Sequence, residues 1–452
     1  MKRGDLFVTQ VVGMSPQGEG IAYVEGRAVL LPQAVPGDKV EARLKGKYRG
    51  FLLAVPEQFL ETALSRQQAP CGHFGRCGGC RWQDLEYADQ LRFKEGMVRS
   101  ALEKRGVSAG EFLPVLASPK PFFYRNKMEF SFGTDPAGTL LLGLHLRGRF
   151  DRVFSVEECH LQSALSNRIL GAVRHHAERA GLPAYNLKTH QGSLRFLVIR
   201  QSARREETLV DLVVAQYPNA AVDALVAGVL EEVPQITTFV LTLHRGKAQV
   251  AAGQAHWVVK GRGWIEEECG GLEFAISPRS FFQTNPLQAA RLYAMACRMG
   301  GDLQGLSVLD LYCGTGSLSL HLARTARAVL GVEIVAEAVE DARRNAARNH
   351  IANCEFAAGP AEEVLPRLQR EGRGFDRVFA DPPRAGLHRK VLEALGILRT
   401  PQVVYISCNP LSLAEDLAGL QAMGYRVAAV QPVDMFPQTP HCEVLSHLVL
   451  RE

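Results

Sequence analysis

Cys408 sits in Tyr405-Ile406-Ser407-Cys408-Asn409-Pro410, an apolar run that ends in a thiol held between two turn-forming residues. A thiol so placed can act as a nucleophile, making and later breaking a covalent bond that divides one difficult step into easier ones. Residues 402–406 are rich in β-branched and aromatic side chains and predict a buried strand, which Asn409-Pro410 stops. Ser412-Leu413-Ala414-Glu415 has the spacing of a capping box, so a helix is expected to begin just after the cysteine. The partial positive charge at its amino end would favour thiolate over thiol. A lone cysteine near a strand end is more often packing than chemistry, so the argument turns on the residues around it.

Three other strand ends carry polar groups. Ser307-Val308-Leu309-Asp310-Leu311-Tyr312-Cys313-Gly314-Thr315-Gly316 reads as a buried strand running into a glycine turn, with residues 318–326 as the helix that follows. The glycines permit a ligand to approach the backbone closely. Val329-Leu330-Gly331-Val332-Glu333 ends a second strand in a carboxylate about twenty residues on, the spacing at which an acid can hold a ribose diol. With two glycines and no third in dinucleotide register, NAD is one reading, and a nucleoside cofactor without a pyrophosphate fits the shorter turn better. A third strand ends in Asp381-Pro382-Pro383-Arg384, where two prolines fix the backbone beyond the acid. Asp-Pro alone is a common turn, but three or four strand ends converging on one crevice is where open α/β sheets bind ligands.

Cys71, Cys77 and Cys80 form a separate cluster, with five residues between the first pair and two between the second, around Gly78-Gly79. Three gathered thiols call for a fourth ligand to complete a tetrahedral or cubane site, and Cys159 is the best remaining candidate. Spacing alone does not separate iron and sulfur from zinc. Unliganded cysteines are the bland alternative, and three thiols within ten residues are hard to explain by packing.

The elements that must position these groups fall into three parts. Residues 1–58 read as short strands broken by glycines, suggesting a small closed, OB-like β-barrel. Arg43, Lys45, Lys47 and Arg49, with Tyr48 among them, suit either phosphate neutralisation with base stacking or a solvated edge strand. Residues 59–270 predict a central α+β domain holding the cysteine cluster, with strands near residues 124–132, 194–200, 208–214 and 238–243. Arg125 and Lys127 could meet RNA or be an exposed strand face. A helical stretch at 84–112 is expected to pack on the last domain. Residues 271–452 alternate strands and helices, the sign of a Rossmann-like α/β sheet covered on both faces.

At 452 residues, with 46% hydrophobic and 22% charged residues, the chain is long enough for several globular cores. Ten cysteines spread over that length do not resemble the disulfide framework of a small secreted domain. A net charge of +5 is compatible with a polyanionic partner without requiring one. Neither a signal peptide nor a membrane-spanning run is apparent, so a cytoplasmic protein without an obligate protein partner is expected.

The order Ser280-Phe281-Phe282-Gln283-Thr284-Asn285, then the glycine turn, Asp381-Pro382-Pro383-Arg384, Ser407-Cys408-Asn409-Pro410 and Asp434-Met435-Phe436-Pro437-Gln438-Thr439-Pro440-His441-Cys442-Glu443 resembles the RNA uracil-5 methyltransferases. The TRAM-like start and the four cysteines are similar to the iron–sulfur branch of that family acting on 23S ribosomal RNA. The resemblance implies S-adenosylmethionine held by Gln283, Tyr312, Gly314, Glu333 and Asp381, a [4Fe-4S] cluster on Cys71, Cys77, Cys80 and Cys159, Cys408 as nucleophile and Glu443 as base. Ser317 departs from several relatives, which carry asparagine there. Phe281 and Phe282 are either stacking surfaces or core. A transfer RNA substrate, an RNA cytosine-5 methyltransferase, an amino-group methyltransferase and a noncatalytic RNA-binding factor are the alternatives. Arg384 in place of an aromatic after Asp-Pro-Pro, and the Ser-Cys-Asn-Pro setting, weigh against the middle two.

Overall fold

The structure, a computed structural model, describes residues 1–48 and 50–451. Arg49, one of the four cations noted above, lies outside the described residues.

Leu6–Gln10 pairs with Lys39–Tyr48, and Gly13–Met14, a few residues further on, pairs with Gly20–Val24 at the other side of the same six-stranded sheet. One bent segment thus joins both edges and closes the barrel. Val11, Ala22, Val29, Val40 and Ala54 fill its centre. The long strand Phe51–Glu61 carries this unit past residue 58, so the expected boundary falls inside a strand.

The central domain is a seven-stranded sheet in the spatial order Arg149–Ser155, Leu140–Leu146, Lys127–Thr134, Leu194–Gln201, Thr208–Val214, Thr238–Leu243 and Ala255–Lys260. The helices Ala164–Arg179 and Ala220–Glu232 pack against it through Ile169, Val173, Val222 and Leu225. The strand expected from residue 124 starts at Lys127. The Arg125 and Asn126 amides leave the ladder to bond the carbonyls of Leu161 and Thr284, tying this domain to the next.

The last domain is an eight-stranded sheet. Cys354–Ala358, Ala328–Glu333, Ser307–Leu311, Arg377–Ala380 and Gln402–Ser407 run parallel, and then Glu443–Leu450 enters antiparallel. That reversal sets the site. A parallel neighbour would end at the carboxyl edge, whereas this strand begins there, so Ser407 pairs with Val444 and Glu443 arrives beside Cys408. The hairpin Ile265–Cys269 and Leu272–Ile276 shares the core of this domain, so the division expected at residue 271 falls at its turn.

The stretch at 84–112 packs on the catalytic sheet. Ala109–Phe112 extends it beside Tyr425–Val433, and Val98, Ala101 and Leu102 of helix Tyr87–Lys104 share a core with Val427 and Val430. Lys94 on that helix is fully buried and pairs with the equally buried Asp434. Its ammonium also donates to the Phe436 carbonyl, and the Tyr87 hydroxyl donates to the other Asp434 oxygen at 2.8 Å. No helix among the described residues is long and apolar enough to cross a membrane.

Because a buried ion pair is most costly when one partner is removed, Lys94→Met should lower the unfolding free energy by roughly 3–5 kcal/mol. The double variant Lys94→Met/Asp434→Leu, which leaves no orphaned charge, should recover part of that loss. Urea titration of both proteins measures the difference, and a single variant as stable as the parent would contradict it.

Candidate active site

A cleft of about 2020 Å³ opens at the carboxyl edge of the parallel strands, and Gln283, Tyr312, Gly314, Glu333, Asp381, Cys408 and Glu443 all line it. Residues 160 positions apart in the chain meet because each follows, or in one case begins, a strand of the same sheet.

At the glycine turn the backbone is held in the left-handed region at Tyr312 (φ 65°), Gly314 (φ 55°) and Gly316 (φ 81°). Such a φ at a tyrosine is strained, and strain of this kind gathers at ligand sites. A Cβ on Gly316 would come within 3.1 Å of Ala342 Cβ and Phe356 Cζ, so glycine is needed there for packing. Gly314 is different: a Cβ there would meet nothing within 4 Å, because that side faces the open cleft. The Glu333 carboxylate accepts from the Gly314 amide at 3.0 Å and the Val335 amide at 2.9 Å, which fixes it at the rim. Beneath the turn, burial pushes Asp310 up to about 7, with the Ser319 hydroxyl donating to it as partial compensation.

Thiol and carboxyls meet at the other end. Burial pushes the Cys408 thiol up to about 11, with Glu443 and Asp381 adding to the rise and Arg384 opposing it. The helix that follows begins at Pro410, capped by Asn409, whose side-chain oxygen accepts from the Leu411 amide at 3.2 Å. The capping box at Ser412 therefore does not form: Pro410 is pre-set for a first helical position, and Ser412 Oγ instead donates to the Arg384 and Asn409 carbonyls. Burial and two neighbouring acids move the Cys408 thiol in the direction opposite to the one expected from the helix end. Burial raises both Asp381 and Glu443, and the charge of Asp381 raises Glu443 further while Arg384 pulls it down. Sequence reasoning left Arg384 without a role. Its signal was its place directly after the two prolines that orient Asp381.

Phe281 is 67% exposed at the cleft wall, whereas Phe282 is buried against Phe274 in the core, so the two phenylalanines divide between the readings considered for them. Their segment is clamped by three partners. The buried Arg200 donates to the Ser280 carbonyl at 2.5 Å, Ser280 Oγ donates to Asp341 at 2.8 Å, and Thr315 Oγ1 donates to the Phe281 carbonyl at 3.3 Å. Arg125 lines the cleft over Phe436, another wall residue that the sequence reading quoted but did not assign. Lys127 is turned to Glu129 at 3.8 Å and does not line the cleft. Ser317 is buried beside a small neighbouring hollow of about 40 Å³ rather than the main cleft. Cys442 is fully enclosed, its thiol pushed up to about 12 by burial.

Cys71, Cys77, Cys80 and Cys159 line a second cavity of about 320 Å³ in the central domain. Burial raises Cys77, Cys80 (to about 12) and Cys159, and the other thiols of the set add to each rise. Among the described residues no three His, Cys, Asp or Glu side chains are grouped closely enough to hold a metal ion.

A parallel sheet with a glycine turn after its first strand, an acid after the second and a cleft across the carboxyl edge defines a Rossmann-like domain built to hold a nucleoside cofactor. Residues 271–451 match the tRNA (Uracil-5-)-methyltransferase family, and residues 10–56 match the TRAM domain. An RNA methyltransferase of Caldanaerobacter subterraneus is 36% identical, with 99% of each chain covered. One of Bacteroides thetaiotaomicron is 37% identical over 97% of this chain and 100% of its own. The chain is also similar in structure to the tRNA (uracil-54, C5)-methyltransferase of Pyrococcus abyssi, solved with S-adenosyl-L-homocysteine, at a TM-score of 0.78 and 27% identity over 98% of this chain and 100% of that one. The protein belongs to the uracil-5 RNA methyltransferase family, in a form carrying a TRAM domain, and is an S-adenosylmethionine-dependent RNA methyltransferase.

With its thiol raised to about 11, Cys408 is protonated at neutral pH, and only the thiolate is nucleophilic. Alkylation by iodoacetamide, followed by mass spectrometry of the Cys408 peptide, should be slow at pH 7.5. It should quicken by about tenfold per pH unit on the way up, and a plateau below pH 9 would contradict the raised value.

Proposed function

We propose that the protein converts a uridine of 23S ribosomal RNA to 5-methyluridine in the cytoplasm, with Cys408 as nucleophile and Glu443 as base. The observation that carries this reading is the pairing of Ser407 with Val444, which brings a thiol and a buried carboxyl to neighbouring strand ends. Carbon 5 of uracil is a poor nucleophile. The Cys408 thiol first loses its proton to solvent, and when the thiolate then adds to carbon 6 the electrons of the ring double bond move toward carbon 5 and the carbonyl at carbon 4, leaving an enolate that can accept a methyl group.

Gln283, Tyr312, Gly314, Glu333 and Asp381 would hold S-adenosylmethionine, which supplies an electrophilic methyl on a sulfonium centre. The open space at Gly314 admits a ligand against the backbone, and each oxygen of Glu333 keeps a lone pair for a ribose hydroxyl beyond the amide it already binds. After methylation carbon 5 still carries its hydrogen. Glu443 takes that proton, the electrons re-form the ring double bond, and the carbon–sulfur bond breaks to return the thiolate. A carboxyl raised by burial is a stronger base than a solvated one, so the buried setting suits the task. Arg384 favours the charged forms of both reactive groups.

The target atom lies within the base stack, so the uridine must be extruded at a cost of a few kcal/mol. The exposed Phe281 is suited to receive it, and the exposed Lys45 and Lys47 of the barrel are suited to the flanking phosphates, whereas Arg43 is paired with Glu57. A uridine in transfer RNA is the second reading, favoured by the activity of the Pyrococcus abyssi neighbour. For the four cysteines a [4Fe-4S] cluster is the better fit. The four thiols border a cavity with room for a cubane, and zinc on the same thiols is the runner-up. Such a cluster would staple the loop of residues 71–80 to the Cys159 segment.

Glu443→Gln should accumulate a covalent protein–RNA adduct, and normal turnover by that variant would remove Glu443 from the mechanism. Cys408→Ala should bind cofactor yet form no adduct, and retained methylation would exclude Cys408. Mapping 5-methyluridine in ribosomal and transfer RNA from cells with and without the protein decides between the two substrates. Anaerobically purified protein should contain iron and acid-labile sulfide in equal amounts, both lost in Cys80→Ser. Zinc in their place would overturn the cluster assignment.

A further inference from the structure

We propose that the N-terminal barrel positions the catalytic base as well as binding RNA, because its turn at residues 15–19 bears directly on the segment that leads into Glu443. The inference rests on the reading of Glu443 as the base. Gly18 lies at φ +77°, and a Cβ there would stand 2.8 Å from Pro440 Cβ and 3.1 Å from Trp82 Cζ2. Glycine therefore allows the barrel to touch a buried proline three residues before Glu443.

A second link runs beside the first. Glu19, 7% exposed, accepts from Ser15 Oγ at 2.5 Å and from Arg81 Nη1 at 2.7 Å. The backbone amides of Arg81 and Trp82 both donate to the Gln438 carbonyl, at 2.8 and 3.2 Å. Gln90 closes the far side, exchanging hydrogen bonds with Gln438 at 2.9 and 3.0 Å. The segment at residues 437–440 is thus held between the barrel and helix Tyr87–Lys104 by packing and amide hydrogen bonds, with the Arg81–Glu19 ion pair joining its partner Arg81 to the barrel. A base must stand within a fraction of an ångström of its productive place.

The test uses the full-length protein with transcribed RNA substrate and S-adenosylmethionine. Gly18→Val should leave the KM for RNA essentially unchanged while kcat falls by up to about 100-fold, as displacement of a catalytic group by about 1 Å does, and the covalent adduct should accumulate because elimination is the slowed step. Lys47→Ala, on the exposed barrel hairpin, should instead raise KM. Glu19→Gln keeps the side-chain size and weakens the Arg81 link, so it should show a milder form of the Gly18→Val split. It decides the matter alone if Gly18→Val does not fold. A raised KM with unchanged kcat, or no effect, in these turn variants overturns the inference. Glu443→Gln run in parallel separates the two failures: adduct in that variant without any kcat loss in the turn variants defeats only the barrel's role, whereas normal turnover by Glu443→Gln defeats the base assignment beneath it.

Discussion

A thiol and two carboxyl groups are crowded together at the floor of the cleft, where Glu443 is buried and Cys408 and Asp381 are half-buried, and the surroundings must make that arrangement tolerable. Charges there are poorly solvated, so each acid raises its neighbours and the thiol is held in its protonated form. Arg384 is the cation that opposes this, placed directly after the two prolines that follow Asp381. The same poor solvation that disfavours a resting thiolate makes a carboxylate formed there a stronger base.

Holding those groups in place requires all three domains. The catalytic sheet supplies the strand ends, but the segment from Asp434 to Glu443 is a loop with little secondary structure of its own. It is fastened by the buried ion pair of Lys94 with Asp434, by the Gln90 and Gln438 exchange and by the Tyr124 hydroxyl donating to the Pro437 carbonyl. The segment bearing Gln283 is likewise pinned by Arg200 and Asn126 of the central domain. The cleft is a joint property of the chain, and its precision comes from polar groups that would be costly to leave unpaired.

The cysteine cavity stands apart from this chemistry. Methyl transfer to carbon 5 is heterolytic and needs no electron carrier, so a cluster there would act on the stiffness of the central domain. Arg147 donates to the Cys80 carbonyl at 3.1 Å, joining the cysteine loop to the hairpin of the domain's sheet.

Several residues that line the cleft and the cysteine cavity were legible because short-range patterns carry them: a thiol after an apolar run, an acid before two prolines, glycines after a strand, three cysteines within ten residues. The alternation of strands and helices disclosed the parallel sheet for the same reason, since strand and helix periods are local. What the pattern misread were competitions decided by neighbours. The Ser412 capping box lost to Pro410 and Asn409, and the dipole of a helix end lost to burial and two nearby acids that lie 27 and 35 residues away in the chain. Protonation, the split fates of Phe281 and Phe282, the contact of Gly18 with Pro440 and the partner of Lys94 depend on desolvation and long-range packing. Those are properties of the space around a residue, which the order of amino acids specifies only through the completed fold.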